Sequence, residues 1–207
     1  MNFNAYFSQL IDWKKLPAYK LETRIDSFIG YYLSDILKEY TKQNILAIIP
    51  EFPLRVGTLY PKININKSFK VDFLAISESG KHYLIEFKTD SNSRRLKQDD
   101  YLNMAKQKKL TALIDGLKKI FDATDVEYKQ KYLHLKNKLL NIKIIDANIN
   151  FIGNNEELEI IYIQPSNTKG EKNIIDFEYI IKFLKQFDSQ GSFEHELIRA
   201  LEEWKNN

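Results

Sequence analysis

The sequence predicts an α/β protein with a mixed central sheet flanked by helices. Three observations predict it. Residues 21–40 place Ile25, Phe28, Ile29, Tyr32, Leu33, Ile36, Leu37 and Tyr40 at the period of an amphipathic helix. FKVDFLAIS (69–77) and KHYLIEFKTD (81–90) read as two strands of a hairpin around the turn SESGK. Helical stretches then enclose one further apolar run, LEIIYIQP (158–165), and this order is that of a sheet opened by a meander and covered by helices.

In chain order, residues 1–18 are rich in aromatics, end near Pro17, and suit a short helix docked on the main body. ILAIIPEFPLR (45–55) carries two prolines and reads as an edge strand, because proline cannot donate to an interior ladder. Residues 56–68 are a connection with a further strand around KINI. A basic helix is expected from about Arg94 to Phe121, and a second from about Glu127 to Leu140, with Tyr128, Tyr132, Leu135 and Leu139 on one face. Residues 173–187 and 192–205 read as amphipathic helices. The whole is expected to be a single domain, residues 1–207, with a core over about 21–165 and C-terminal helices over 173–205.

Composition narrows the function classes. The 207 residues contain no cysteine, which removes disulfides, thiolate metal sites and cysteine nucleophiles. No apolar run approaches the ~18 residues of a membrane span, and the N-terminus lacks the layout of a secretory signal, so the cytoplasm is expected. Lysine outnumbers arginine 26 to 5, the bias of an AT-rich, bacterial genome. The net charge is only +3, but residues 94–143 hold 13 Lys and Arg against 6 Asp and Glu. A basic middle in a nearly neutral chain points toward a polyanionic partner, and reads equally as a solvated helical face.

The hairpin carries the chemistry. Strand side chains alternate faces, so Glu86 and Lys88 share one face while Phe87, Ile85 and Tyr83 take the other. A turn centred near Ser79 sets Asp72 directly across from Glu86. Opposed carboxylates repel and need a cation between them. Lys88 supplies one. Mg²⁺ or Mn²⁺, which favour hard oxygen ligands, would supply another and would stabilise charge on a phosphoryl oxygen. An E-x-K triplet by itself is equally an ordinary charged hairpin.

Asp72 followed by Glu86-Phe87-Lys88, with a helix before and a helix after, resembles the PD-(D/E)XK nuclease superfamily. The resemblance implies a restriction-endonuclease-like fold and metal-dependent hydrolysis of phosphodiester bonds, with DNA as the expected substrate. It implies that Asp72, Glu86 and the Phe87 carbonyl bind Mg²⁺ or Mn²⁺, and that Lys88 assists the attacking water. Val71 departs from the proline usual before the Asp. Many members add a Glu from the first helix. Glu22 lies about 30° from the centre of the apolar stripe and Asp26 about 70°, so Glu22 is the better candidate, though a first-turn carboxylate also serves the helix dipole.

Gln98 and Tyr101 resemble a Gln and Tyr found after the Lys in some members, at a spacing one residue shorter than in the exonuclease-like branch. Gln98 is therefore placed with the catalytic set. Arg94, Arg95 and Lys97, then Lys106 and Lys109, are candidates to contact phosphates. His82, His134 and His195 lack ligand spacing. Recognition is expected to need a homodimer or a partner subunit. The alternative is a nucleic-acid- or protein-binding module that keeps the nuclease fold without the chemistry; an RNA-processing nuclease ranks behind both.

Overall fold

Alternating buried residues and helical stripes resolve into five strands and seven helices among the described residues of the computed structural model. These are residues 2–17, 19–63, 65–78, 81–90, 95–154, 156–168 and 170–205. The strands are β1 (Ile45–Arg55), β2 (Ser68–Ser77), β3 (His82–Phe87), β4 (Leu158–Gln164) and β5 (Ile174–Asp176). The helices are α1 (Phe3–Trp13), α2 (Glu22–Thr41), α3 (Val56–Leu59), α4 (Leu96–Ala123), α5 (Lys129–Asn141), α6 (Phe177–Leu184) and α7 (Phe193–Trp204). The strands form one mixed sheet in the order β1-β2-β3-β4-β5. No described helix is long and apolar enough to cross a membrane.

The chain divides into two compact units. A central unit takes residues 37–85 and 95–160, and a terminal unit takes 1–36, 86–94 and 161–207.

In the central unit, β1 and β2 pair antiparallel from Ile45 with Ser77 to Arg55 with Ser68, with one irregularity between Ile45 and Ala47. β1 is an edge strand, which accommodates Pro50 and Pro53. The hairpin register pairs Phe73 with Ile85, Leu74 with Leu84 and Ala75 with Tyr83, as the turn centre predicts. Lys62, Ile63 and Ile65 of the expected KINI strand form no strand, and Asn64 lies outside the described residues. Pro61–Ile63 is instead a 3-10 turn, consistent with a proline at its first position.

The basic helix α4 is interrupted at Lys109, whose φ of 64° takes it out of the helical region. The interruption is supported from the segment before β4. Leu110 N–H donates to the Glu156 carbonyl at 2.9 Å, and both Lys109 Nζ (2.7 Å) and Thr111 Oγ1 (2.6 Å) donate to the Glu156 carboxylate. A backbone donor released from the helical ladder thus finds a partner, which is the condition for a kink to be tolerated.

The terminal unit is held by helix contacts. Phe7, Phe28 and Phe193 pack α1, α2 and α7 around one aromatic cluster, with centroids 5.1 to 5.8 Å apart. Ser192 caps α7 by accepting from His195 N–H, and Asp176 caps α6 by accepting from Tyr179 N–H. The helix expected over 173–187 starts later, at Phe177. Its first residues form β5, parallel to β4, where Ile174 and Ile175 are buried. Three β-branched or capping residues in series, Ile-Ile-Asp, extend more readily than they coil.

Gly116 in α4 approaches α3 closely: a Cβ built there would lie 2.6 Å from Thr58 Oγ1 and 3.2 Å from Arg55 Cβ. Alanine in place of a mid-helix glycine ordinarily gains about 1 kcal/mol. Here overpacking reverses the sign, and Gly116→Ala should lose ~1–3 kcal/mol in urea unfolding, with partial recovery when Thr58→Ala removes the obstructing oxygen.

Candidate functional site

All six residues of β3 are buried. Period-two alternation sends Phe87 toward α6, where its ring lies 6.3 Å from that of Phe177. The same alternation leaves Glu86 on the opposite face, fully buried at 0% exposure. Lys88 follows the strand, and its N–H donates to the Ile163 carbonyl at 2.7 Å, so the backbone of β3 stays tied to β4 at this residue. The Lys88 side chain therefore comes back over the face that holds Glu86, at 5% exposure.

Oxygens of two carboxylates and a carbonyl are among those at its ammonium. Lys88 Nζ donates to Glu86 Oε2 at 3.3 Å, Glu22 Oε1 at 3.3 Å and the Phe87 carbonyl at 3.1 Å. Glu22 is the first residue of α2, and its side chain is one-third exposed, so this carboxylate forms the solvent side of the cluster. Glu86 forms the buried side. A carboxylate removed from water needs a cation at hydrogen-bond distance, because the desolvation penalty of a lone buried charge is several kcal/mol. Asp26, the alternative on α2, accepts from the N–H of its neighbour Ser27 at 2.6 Å.

Glu22, Glu86 and the Phe87 carbonyl are three of the four groups that the resemblance assigns to metal binding, and they converge on one cationic point. The donors are hard oxygens, two of them anionic, and in kind they fit Mg²⁺ or Mn²⁺. Among the described residues, no group of three or more His, Asp or Glu side chains gathers in a form that could hold a metal ion. The described contacts in the terminal unit bring together the Glu22 and Glu86 carboxylates, the Phe87 carbonyl and the Lys88 ammonium.

Sequence reasoning missed Lys14. From α1 its Nζ donates to the Thr89 carbonyl at 3.2 Å, one residue beyond Lys88. Burial pushes the Lys14 ammonium below its ordinary value, against the opposing pull of Asp90 and Glu203. The contact joins residues 75 positions apart through a backbone atom. No side-chain pattern announces such a partner.

The remaining described candidates lie in the central unit. Asp72 is half-buried on β2 between the buried Val71 and Phe73. Gln98 stands in the first turn of α4 and is half-buried. Tyr101 stacks on Phe69 with centroids 4.6 Å apart, and its hydroxyl donates to the Lys70 carbonyl at 3.3 Å, so it fastens α4 to β2. Lys97 lies over the Phe69 ring, 5.8 Å from its centroid. Arg95 precedes α4 and is exposed, while Arg94 lies outside the described residues. Lys106 pairs with Glu159 and Lys109 with Glu156, each at 2.7 Å. These bonds hold both carboxyls below the usual carboxylate range. His82 is buried, and its Nδ1 accepts from Ser77 N–H at 3.1 Å, closing the base of the hairpin.

No model of a known protein family, no curated protein and no solved structure matches the chain.

Because Glu86 and Lys88 are buried together, they should be strongly coupled. Lys88→Met leaves a buried carboxylate without its ammonium and should cost ~3–5 kcal/mol in urea unfolding at neutral pH. The double variant Glu86→Gln/Lys88→Met should be more stable than Lys88→Met alone. Simple additivity of the two single changes would show that the pair carries no coupling.

Proposed function

We propose that the chain is a metal-dependent nuclease of the PD-(D/E)XK class that hydrolyses phosphodiester bonds of DNA. The observation that carries this reading is the gathering of Glu22, Glu86 and the Phe87 carbonyl at the buried Lys88 ammonium. An uncommitted surface hairpin has no reason to bury a carboxylate and an ammonium two residues apart. The resemblance assigns Asp72, on β2, to the same metal-binding role.

In this reading Glu86, Glu22, the Phe87 carbonyl and Asp72 would hold Mg²⁺ or Mn²⁺. When bound, the cation supplies Lewis-acid stabilisation of the scissile phosphoryl group. Lys88 carries its protons on Nζ and donates them as hydrogen bonds, orienting the water that attacks and neutralising charge that grows on the phosphoryl oxygens. Glu86 accepts from that ammonium and holds it in place. Gln98 and Tyr101 occupy the start of α4, and there Gln98 would position the phosphate backbone, with Arg95 and Lys97 adding positive charge. Lys106 and Lys109 contribute less than their number suggests, since each is matched by a carboxylate.

A second reading is a binding module that keeps the fold without the chemistry. It is favoured by one observation: Lys88 already neutralises the carboxylates, and no larger acidic group gathers among the described residues.

Cleavage of linear, circular and single-stranded DNA with Mg²⁺ or Mn²⁺, with an RNA substrate in parallel, tests the first reading. Lys88→Ala and Glu86→Gln should each lower the rate at least ~100-fold, the scale of losing a positioned acid–base or charge-stabilising group. Glu22→Gln should raise the Mg²⁺ concentration needed for half-maximal rate. Cutting that survives both Lys88→Ala and Glu86→Gln would place the activity elsewhere. A folded wild type that neither cuts nor binds Mg²⁺ or Mn²⁺ in calorimetry would favour the module.

A further inference from the structure

The apolar stripe of α5 is only partly covered. Leu139 is fully buried, but Leu135 and Tyr132, one and two turns earlier, are half-buried. Beneath them, against β1, lies a cavity of about 350 Å³. Its apolar lining includes Ile49, Pro53 and Leu135, and every lining residue belongs to the central unit. Three lysines stand around it: Lys70 from β2, and Lys131 and Lys138 from α5. Lys131 Nζ lies 5.3 Å from the Tyr132 ring centroid, and Lys138 Nζ is fixed by the Ile48 carbonyl at 2.8 Å.

One wall is strained. Glu51 sits inside β1 at φ 53°, a left-handed conformation that a residue with a Cβ adopts rarely. Its neighbours Pro50 and Phe52 pair normally with Phe73 and Val71. The carboxylate reaches Lys70 Nζ at 2.7 Å, with both side chains more than half exposed. Backbone strain kept within an otherwise regular strand is a feature that clusters at ligand sites.

We propose that this cavity binds a nucleotide. Its volume suits one small ligand of that size and not a duplex. Lys131, exposed on α5, offers positive charge to a phosphate beside the Tyr132 ring, and Lys70 adds charge from β2. The Tyr132 face and the apolar floor offer a flat surface to a base, and aromatic stacking accepts any base because each has a π-face. Glu51 offers an acceptor to an exocyclic amino group. The nucleotide is either free or part of a nucleic-acid strand. The proposal goes beyond the nuclease reading and does not depend on it, because it concerns binding to residues of the central unit alone.

Calorimetric titration of the full chain, without added metal, with deoxyadenosine monophosphate, deoxyadenosine, inorganic phosphate and an eight-residue oligodeoxyadenylate tests it. The monophosphate should saturate one site and bind at least tenfold tighter than the nucleoside or phosphate alone. Lys131→Gln and Tyr132→Leu should each weaken it about tenfold, with the urea midpoint of the exposed Lys131→Gln variant unchanged. Oligonucleotide binding tighter than the monophosphate and lost in the same variants identifies a strand as the source. Equal affinity identifies the free nucleotide. Failure of both ligands to saturate the wild type at millimolar concentration would overturn the proposal, as would binding that Lys131→Gln leaves unchanged, or phosphate alone binding as tightly as the monophosphate.

Discussion

A carboxylate with no solvent exposure dictates its surroundings. Glu86 is buried near the end of an apolar strand, and a charge there is tolerable only with a cation at hydrogen-bond distance. The strand geometry provides one. Lys88 is two residues on and shares the face, and the Ile163 carbonyl holds its backbone in extended form beyond the end of β3. The ammonium in turn draws in Glu22 from the start of α2 and the carbonyl of Phe87. Burial of one acid thus links a strand end and a helix N-terminus within the terminal unit.

The basic middle of the chain shows how local charge differs from available charge. Lys106 and Lys109 pair with Glu159 and Glu156, Lys118 donates to the Asn148 carbonyl, and Lys138 donates to the Ile48 carbonyl. These lysines fasten α4 and α5 to other parts of the central unit. The same pairing explains the break at Lys109. Glu156 receives the side chain of Lys109 at the interruption and that of Thr111 just after it, while its own carbonyl takes the freed N–H of Leu110. A count of lysines overstates an electrostatic footprint when half of a pair comes from distant sequence.

Two sites of different character emerge. The cluster around Lys88 is buried except at Glu22, anionic in its oxygens and built from the end of β3 and the start of α2. The cavity under α5 is apolar at its floor, cationic at its rim and half open. In the proposals made above, the first would take a cation and a phosphoryl group, the second a flat ligand carrying negative charge. Neither character follows from composition, since the net charge of +3 describes neither place.

Periodicity alone specified the α/β class, the amphipathic helix of residues 21–40, the edge strand with its two prolines, and the hairpin register of Phe73 with Ile85. These are local properties: a stripe every 3.6 residues, a face every second residue, a missing proline donor. The shared face of Glu86 and Lys88 was legible for the same reason. Three-dimensional packing decided what local pattern leaves open. The run Asn173–Asp176 became largely strand because β4 offered a parallel partner, and the KINI segment became a turn. The basic helix broke at Lys109 because Glu156 satisfied the opened ladder. Lys14 reached Thr89, and a cavity remained under Tyr132 and Leu135, through contacts between residues far apart in the chain. A sequence pattern records which face a residue takes, whereas the atoms that meet that face come from elements it cannot locate.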